Sequence, residues 1–354
     1  MASDAKRLFV VNSDRSTYNR RLMPKKEQDR FPLLDYIDEL VESLRGHVPR
    51  AMKQWETDSI HQSRVATRRL KAALELLEPT LCDEHLKPFS KALRKLRRRL
   101  GPMRDLDVMI EHLADLKSKP HAQAIEWLLG RLTLRREQVR EESTGKGTPA
   151  RVLSRLGTWW GLREEVDEAR EAGDSLLAES LHAQLDSFAE QADRLTAGPV
   201  AGDAGIRQDP HAVRIAGKSF RYTLEMAAVQ GHKLPAGVMG NFKKMQEALG
   251  LWHDYVVLTE RAMQMSLEEL LPHHDAMLQA KVLDLARATL KRSSHYMDQF
   301  SALWAKGGAD VARGVREAFP LTRAVTESKT DLDPPGSDET PAPATVPPDA
   351  ISGA

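Results

Sequence analysis

The sequence predicts an all-α protein built from two related helical halves, and three observations point there. Phe, Trp and Tyr make up only 5% of the 354 residues, while Leu, Ala, Glu, Lys and Arg dominate, a composition that favours amphipathic helices over strands. From Phe31 onward, apolar residues recur at the helical period. Two short motifs recur about 150 residues apart, the mark of an internal duplication.

The first 30 residues are basic and polar, with one β-prone run at Leu8 to Val11. Because polar residues follow that run at once, no secretory signal is expected. Pro32 suits the first turn of a helix through Leu40, Val41 and Leu44, which Gly46 and Pro49 are expected to close. A second helix is predicted from about Trp55 to Leu77, stopped by Pro79. A third runs from Glu84 to Leu100, stopped by Gly101-Pro102, and a fourth passes through Met109 and Leu113 to end before Pro120. Gln123 to Glu142 is helical and Gly145 to Pro149 breaks the pattern, closing a first repeat over about 31–145. A connecting helix covers about 150–172. The second repeat, about 175–305, holds helices at Leu176 to Leu195, His211 to Val229, Val238 to Leu249, Asp254 to Leu271 and His273 to Trp304, with a loop at Gly198 to Gly205. Residues 306–354 read as a C-terminal extension. Beyond about Val325 it is acidic, rich in Pro and Ser, and too poor in large apolar groups to offset its ordering entropy, so disorder is expected there.

The duplication is specific. His61-Gln-Ser-Arg64-Val-Ala-Thr-Arg68-Arg69-Leu70-Lys71 recurs as His211-Ala-Val-Arg214-Ile-Ala-Gly-Lys218-Ser219-Phe220-Arg221, and Leu100-Gly101-Pro-Met-Arg104-Asp105 recurs as Leu249-Gly250-Leu-Trp-His253-Asp254. At ~100° per residue, His61, Arg64, Arg68 and Lys71 fall within ~80° of one another on a helix. Their counterparts His211, Arg214, Lys218 and Arg221 do the same. Val65, Ala66, Leu70 and Leu77 back the first face, and Ile215, Phe220 and Leu224 the second. The following helix presents Lys87, Lys91, Arg94, Arg97 and Arg98 opposite Leu86, Phe89, Leu93 and Leu96.

Charge counts alone mislead. The 52 basic and 51 acidic residues leave a net charge of +1, which for an even distribution argues against a polyanion partner. From residue 61 to 104, however, 12 Lys or Arg stand against 4 Asp or Glu. Like charges at i, i+3 and i+4 repel by a few tenths of ~1 kcal/mol per pair, so a face of this kind is mildly unfavourable without an anion on it. The single cysteine, Cys82, excludes an internal disulfide and Cys-rich zinc modules, and fits a cytoplasmic setting. No run approaches membrane-spanning length.

The paired motifs, His-x2-Arg-x3-Arg-Arg-Leu-Lys in one half, His-x2-Arg-x3-Lys-x2-Arg-Tyr in the other, and Leu-Gly-x2-Arg/His-Asp after each, resemble the CHAD family, the conserved histidine α-helical domain. The resemblance covers about Phe31 to Trp304. It implies two four-helix-bundle-like halves related by a pseudo-twofold, around a basic groove or pore that binds inorganic polyphosphate, and an association with polyphosphate granules. The positions it carries over are His61, Arg64, Arg68, Lys71, Arg94, Arg97, Arg98 and Arg104 in the first half, and His211, Arg214, Lys218, Arg221, Lys243, Lys244 and His253 in the second. Arg97 and Arg98 correspond to Gln246 and Glu247, so the first half is expected to hold anion more tightly. The Glu-x-Glu-x-Lys motif of the triphosphate-tunnel domain often fused to the family is absent.

Arg suits phosphate because its planar fork donates two parallel hydrogen bonds, while Lys adds a mobile charge. The two histidines are expected to donate a hydrogen bond and to gain charge as an anion raises their pKa. Asp105 and Asp254 are expected at the first turn of the next helix, favouring its dipole, with orientation of a groove Arg or His as the alternative. Asp107 has no acidic counterpart and receives no role. Trp159, Trp160 and Trp252 are read as packing residues. His273-His274-Asp275 does not read as a metal site, since adjacent histidines diverge on a helix, and no cofactor is expected. With no Gly-rich phosphate loop and no nucleophile paired with a base, the expectation is binding without catalysis. Two rivals are histidine phosphotransfer through His61 or His211 and nucleic-acid binding through the same charge. The second is disfavoured by the shortage of stacking aromatics.

Overall fold

The computed structural model describes residues 31–321 apart from 117, 146 and 198–208. The expectations for residues 1–30, the Gly198 to Gly205 loop and the acidic tail lie outside the described residues. Helices α1 (Pro32–Lys53), α2 (Thr57–Leu77), α3 (Asp83–Asp115) and α4 (Ala122–Ser143) form the first half. Short helices α5 (Pro149–Leu156) and α6 (Trp159–Glu168) connect it to α7 (Gly173–Thr196), α8 (Pro210–Val229), α9 (Ala236–Met265) and α10 (Ala276–Ala318). In each half, consecutive helices pack on one another, and α10 closes back on α7. The halves meet where α2 packs on α8 and α3 on α9, and the described residues belong to one compact unit.

One contiguous apolar core runs through this arrangement. Leu70, Leu77, Phe89, Leu96 and Leu100 are buried in the first half, and Phe188, Phe220, Phe242 and Phe300 in the second. Phe188 packs edge-on to Phe242 and Trp304 at 5.6 and 5.3 Å between ring centroids. Trp159 is buried against Phe89 at 5.6 Å. Two apolar residues depart from expectation. Ile215, placed by its spacing on the packed side of α8, is 53% exposed, and Trp160 is 56% exposed with the Arg45 guanidinium over its ring.

The main departures from the sequence reading come where glycine or proline was taken as a stop. α1 continues through Gly46 and Pro49 to Lys53, because Val48, Ala51 and Met52 carry its buried stripe onward. Trp55 ends that run, in a left-handed conformation at φ 54°. α3 passes without a break through Gly101-Pro102. A proline within a helix costs ~3 kcal/mol, but Leu96, Leu100, Met103 and Leu106 form one buried line across it, and each such side chain returns ~1.5–3 kcal/mol. α9 likewise runs through Gly250, joining two segments the sequence reading kept apart. The last helix begins at Ala276, capped by Asp275 accepting from the Leu278 backbone N–H at 3.1 Å, so His273 and His274 lie in the preceding turn. The connecting segment divides at Gly157 into α5 and α6.

Asp107, which received no role from its sequence context, is a structural anchor. Its Oδ1 accepts from Arg136 Nε at 2.6 Å, and the same guanidinium donates to the Trp55 carbonyl at 3.0 Å and Thr57 Oγ1 at 3.2 Å. One ion pair, with Asp107 only 4% exposed, therefore ties α3 and α4 to the turn between α1 and α2. Asp107→Ala strands the half-buried Arg136 and should lower the unfolding free energy by ~3 kcal/mol, read as an earlier midpoint in urea denaturation with an unchanged slope.

Candidate anion-binding cleft

Continuity of α3 and α9 decides where the charged motifs meet. α2 brings His61, Arg64 and Arg68 to the line where it packs on α8, which brings Arg214 and Lys218. From the third and ninth helices come Arg104 and Asp105, and His253 and Asp254. These side chains, with Val108, Met109 and Val257, line one cavity of about 300 Å³ between the halves. The two carboxylates do not open new helices as expected. They sit inside long ones, facing the cluster, which is the alternative that the sequence left in second place.

Gly101 is part of the construction. An added Cβ would lie 3.1 Å from Arg64 Nη1, and that guanidinium, 16% exposed, crosses over α3 to donate to the Arg97 carbonyl at 3.0 Å. Its Nη2 stands 3.7 Å from Asp105 Oδ1. On the other side, His112 Nε2 lies 3.2 Å from Asp254 Oδ2, an interaction between α3 and α9 that no repeat motif contains. Nε of Arg64, Arg68 and Arg214 is buried with no hydrogen-bond partner among the described residues.

Crowding of positive charge in a desolvated space sets the protonation states. Burial, followed by Arg104 and Arg68, lowers the His61 pKa to about 4, and burial with Arg214 lowers that of His253 to about 4. Lys218 falls to about 7 through burial and then Arg214 and Arg68. Burial also depresses Arg64 and Arg214, partly offset by Asp105 and Asp254 respectively. Both histidines are thus neutral at pH 7, and Lys218 is the group poised to titrate.

The fifteen residues singled out from the sequence do not all converge. His61, Arg64, Arg68, Arg104, Arg214, Lys218 and His253 line the cleft. His211 stays at its edge, exposed, with its ring 5.6 Å from that of His253. Lys71, Arg94 and Arg97 instead line a groove between α2 and α3, where Lys71 pairs with Glu75. Arg98 is exposed on α3. Arg221 is drawn off by Glu225, which accepts from its Nε at 3.0 Å and from Arg69 Nε at 2.7 Å. Lys243 and Lys244 are exposed on α9, outside the cleft lining. No group of three His, Cys, Asp or Glu that could hold a metal occurs among the described residues.

The family model of the CHAD domain matches residues 35–263. The chain belongs to the CHAD domain family. The matched region ends within α9, so α10 lies beyond it. Among solved structures, this CHAD chain is similar to PptA from Streptomyces chartreusis, at 15% identity and a TM-score of 0.53, over 76% of this chain and 97% of that one. It is also similar to the CHAD domain from the plant Ricinus communis, at 19% identity and a TM-score of 0.49, over 83% of this chain and 92% of that one. At such identity the PptA likeness shows a shared fold. No curated protein matches the chain. Among the described residues no helix is long and apolar enough to cross a membrane.

The depressed histidines make the empty CHAD cleft acid-sensitive. Between pH ~6.5 and ~4 the unfolded chain binds protons that the folded chain refuses, so stability present above pH 6.5 is lost as pH falls through that window. His61→Gln with His253→Gln should flatten this part of the melting-temperature profile, measured without added anion.

Proposed function

We propose that the cleft between the halves binds inorganic polyphosphate and holds it without turnover. The observation that carries this reading is the set of buried, unpartnered guanidinium Nε atoms contributed by both halves to one cavity. A buried unsatisfied donor costs ~1–3 kcal/mol, and mutual repulsion adds to it. A linear polyanion with about one charge per phosphate offsets both, since each phosphate offers oxygens that a planar guanidinium can grip in pairs. Volume points the same way, because about 300 Å³ suits a single phosphate chain and not a nucleic-acid duplex. Binding without transfer is favoured because the cleft's carboxylates are engaged, Asp105 with Arg64 and Asp254 with His112, and among the described residues neither His61 nor His253 forms an ion pair with a carboxylate. The pseudo-twofold relation of the halves belongs to this reading. So does recruitment to polyphosphate granules, for which the same binding suffices.

The test is a titration with polyphosphate at several salt concentrations. Arg64→Glu with Arg68→Glu, and separately Arg214→Glu with Lys218→Glu, should each weaken binding on the order of 100-fold, from ~1.5–3 kcal/mol per charged hydrogen bond. If both variants remain folded and bind as wild type, the cleft is not the site. The same loss in Arg221→Glu would also count against it, as Arg221 is committed to Glu225.

Lys218 sets the pH dependence. A bound anion raises its pKa above the free value of about 7, so binding takes up a proton wherever pH lies between the two. Affinity should therefore fall as pH rises from ~7 towards ~10, and calorimetry in buffers of different ionisation enthalpy should detect the uptake. Lys218→Met should remove this slope. It should also raise the melting temperature of the anion-free protein, by ~2–4 °C per kcal/mol of relieved repulsion.

A further inference from the structure

The cleft is not the end of the positive charge. On α3, at ~100° per residue, Arg104 and Arg97 lie on the edge nearest the cleft, Arg94 and Arg98 follow around the helix, and Lys91 and Lys95 complete the turn. The first step is direct, because Arg64 of the cleft hydrogen-bonds the Arg97 carbonyl. The next is a groove of about 380 Å³ between α2 and α3, where Lys91, Arg94 and Arg97 line the α3 side, and Glu75 and Glu78 lie on the other, with Lys71 paired to Glu75 and Lys87 to Asp83. Past it, α5 packs on α3 and presents Arg151 and Arg155 beside Lys95. Burial of these cations is slight, since Lys91, Lys95, Arg98, Arg151 and Arg155 are all exposed. None forms an ion pair with a carboxylate among the described residues. Lys95 feels the crowding, and its ammonium is held below its usual range, with Arg155 the largest cause and then Lys91.

Two helices that place like charges face to face across their contact incur a repulsion that ordinary surfaces relieve with interspersed acids. The second half carries less of this continuation. It keeps Lys243 and Lys244 at the positions equivalent to Arg94 and Lys95, but those equivalent to Lys91, Arg97 and Arg98 are Gly240, Gln246 and Glu247. Resting on the reading of the cleft as a polyphosphate site, we propose that the α3 and α5 cations form a second, one-sided site that takes the length of phosphate chain emerging from the cleft. Short chains fill the cleft alone. Long chains leave it over the first half and gain affinity there, so the protein grades its ligand by length and leads it out of the cleft on one side.

The experiment compares tripolyphosphate with a chain of ~100 phosphates, on wild type, on Lys95→Gln with Arg155→Gln, and on Lys243→Gln with Lys244→Gln. Wild type should bind the long chain more tightly per molecule than the number of cleft-sized segments explains. The α3/α5 variant should lose ~5–10-fold for the long chain, reduce its log affinity against log salt slope by about one per cation removed, and bind tripolyphosphate unchanged. The α9 variant should lose less than twofold for either ligand. Both altered α3/α5 side chains are exposed and repel their neighbours, so an equal or higher melting temperature should confirm folding. A long chain bound equally by wild type and the α3/α5 variant overturns the proposal while leaving the cleft reading intact. Failure of wild type to bind either ligand overturns the cleft reading instead. Duplex DNA, added at matched phosphate concentration, is the remaining arm. Tighter binding of DNA, with the same loss in the α3/α5 variant, would make the patch a nucleic-acid surface and also overturn the proposal.

Discussion

Repulsion among cations held out of water is the constraint on which this CHAD chain is organised. Arg64, Arg68, Arg214 and Lys218 come from two helices that face each other across one cavity, and Arg104 adds to them from α3. In water like charges a few ångströms apart repel by only ~1 kcal/mol. In the cleft, burial first and then this neighbouring positive charge lower the pKa of His61 and His253 to about 4 and that of Lys218 to about 7. The state is tolerable because the apolar core beneath α2 and α8 supplies the stabilisation, and because Asp105 and Asp254 remain as built-in partial counterions.

That arrangement carries an electrostatic cost within the fold itself. On the proposed reading, the crowded cations that burden the fold would become the contact surface for the anion, and Lys218 would regain its proton on binding. Stability and affinity would then oppose one another at the same residues. A few specific contacts hold the cleft's geometry. Gly101 lets Arg64 lie across α3, His112 joins Asp254 across the halves, and Asp107 with Arg136 ties α3 and α4 to the α1–α2 turn.

Much of this was legible in the residue order. Helical period and the duplication gave the helices and singled out their cationic faces, since both are properties of one helix and need only the 3.6-residue repeat. Stops were harder. Gly101-Pro102 and Gly250 look like boundaries locally, yet Leu96, Leu100, Met103 and Leu106 keep α3 straight through the first of them, because burial of a continuous apolar line outweighs a local breaker. Reading these as helix ends put Asp105 and Asp254 at N-termini when they belong to the cleft wall. Asp107 and His112 carried no pattern at all, because their partners, Arg136 and Asp254, are 29 and 142 residues away.

The sequence by itself determined the helical fold class and which helix faces would be positive, since both depend on spacings of a few residues. Only the tertiary structure decided which of those cations share a cavity. Arg68 and Arg214 became neighbours through the packing of α2 on α8, while Lys71 and Arg221, equally placed on the same helix faces, were claimed by Glu75 and Glu225. A helical wheel fixes direction around one axis. Desolvation and charge proximity, which turn a basic face into a site, depend on distances between helices, and those are set by the core.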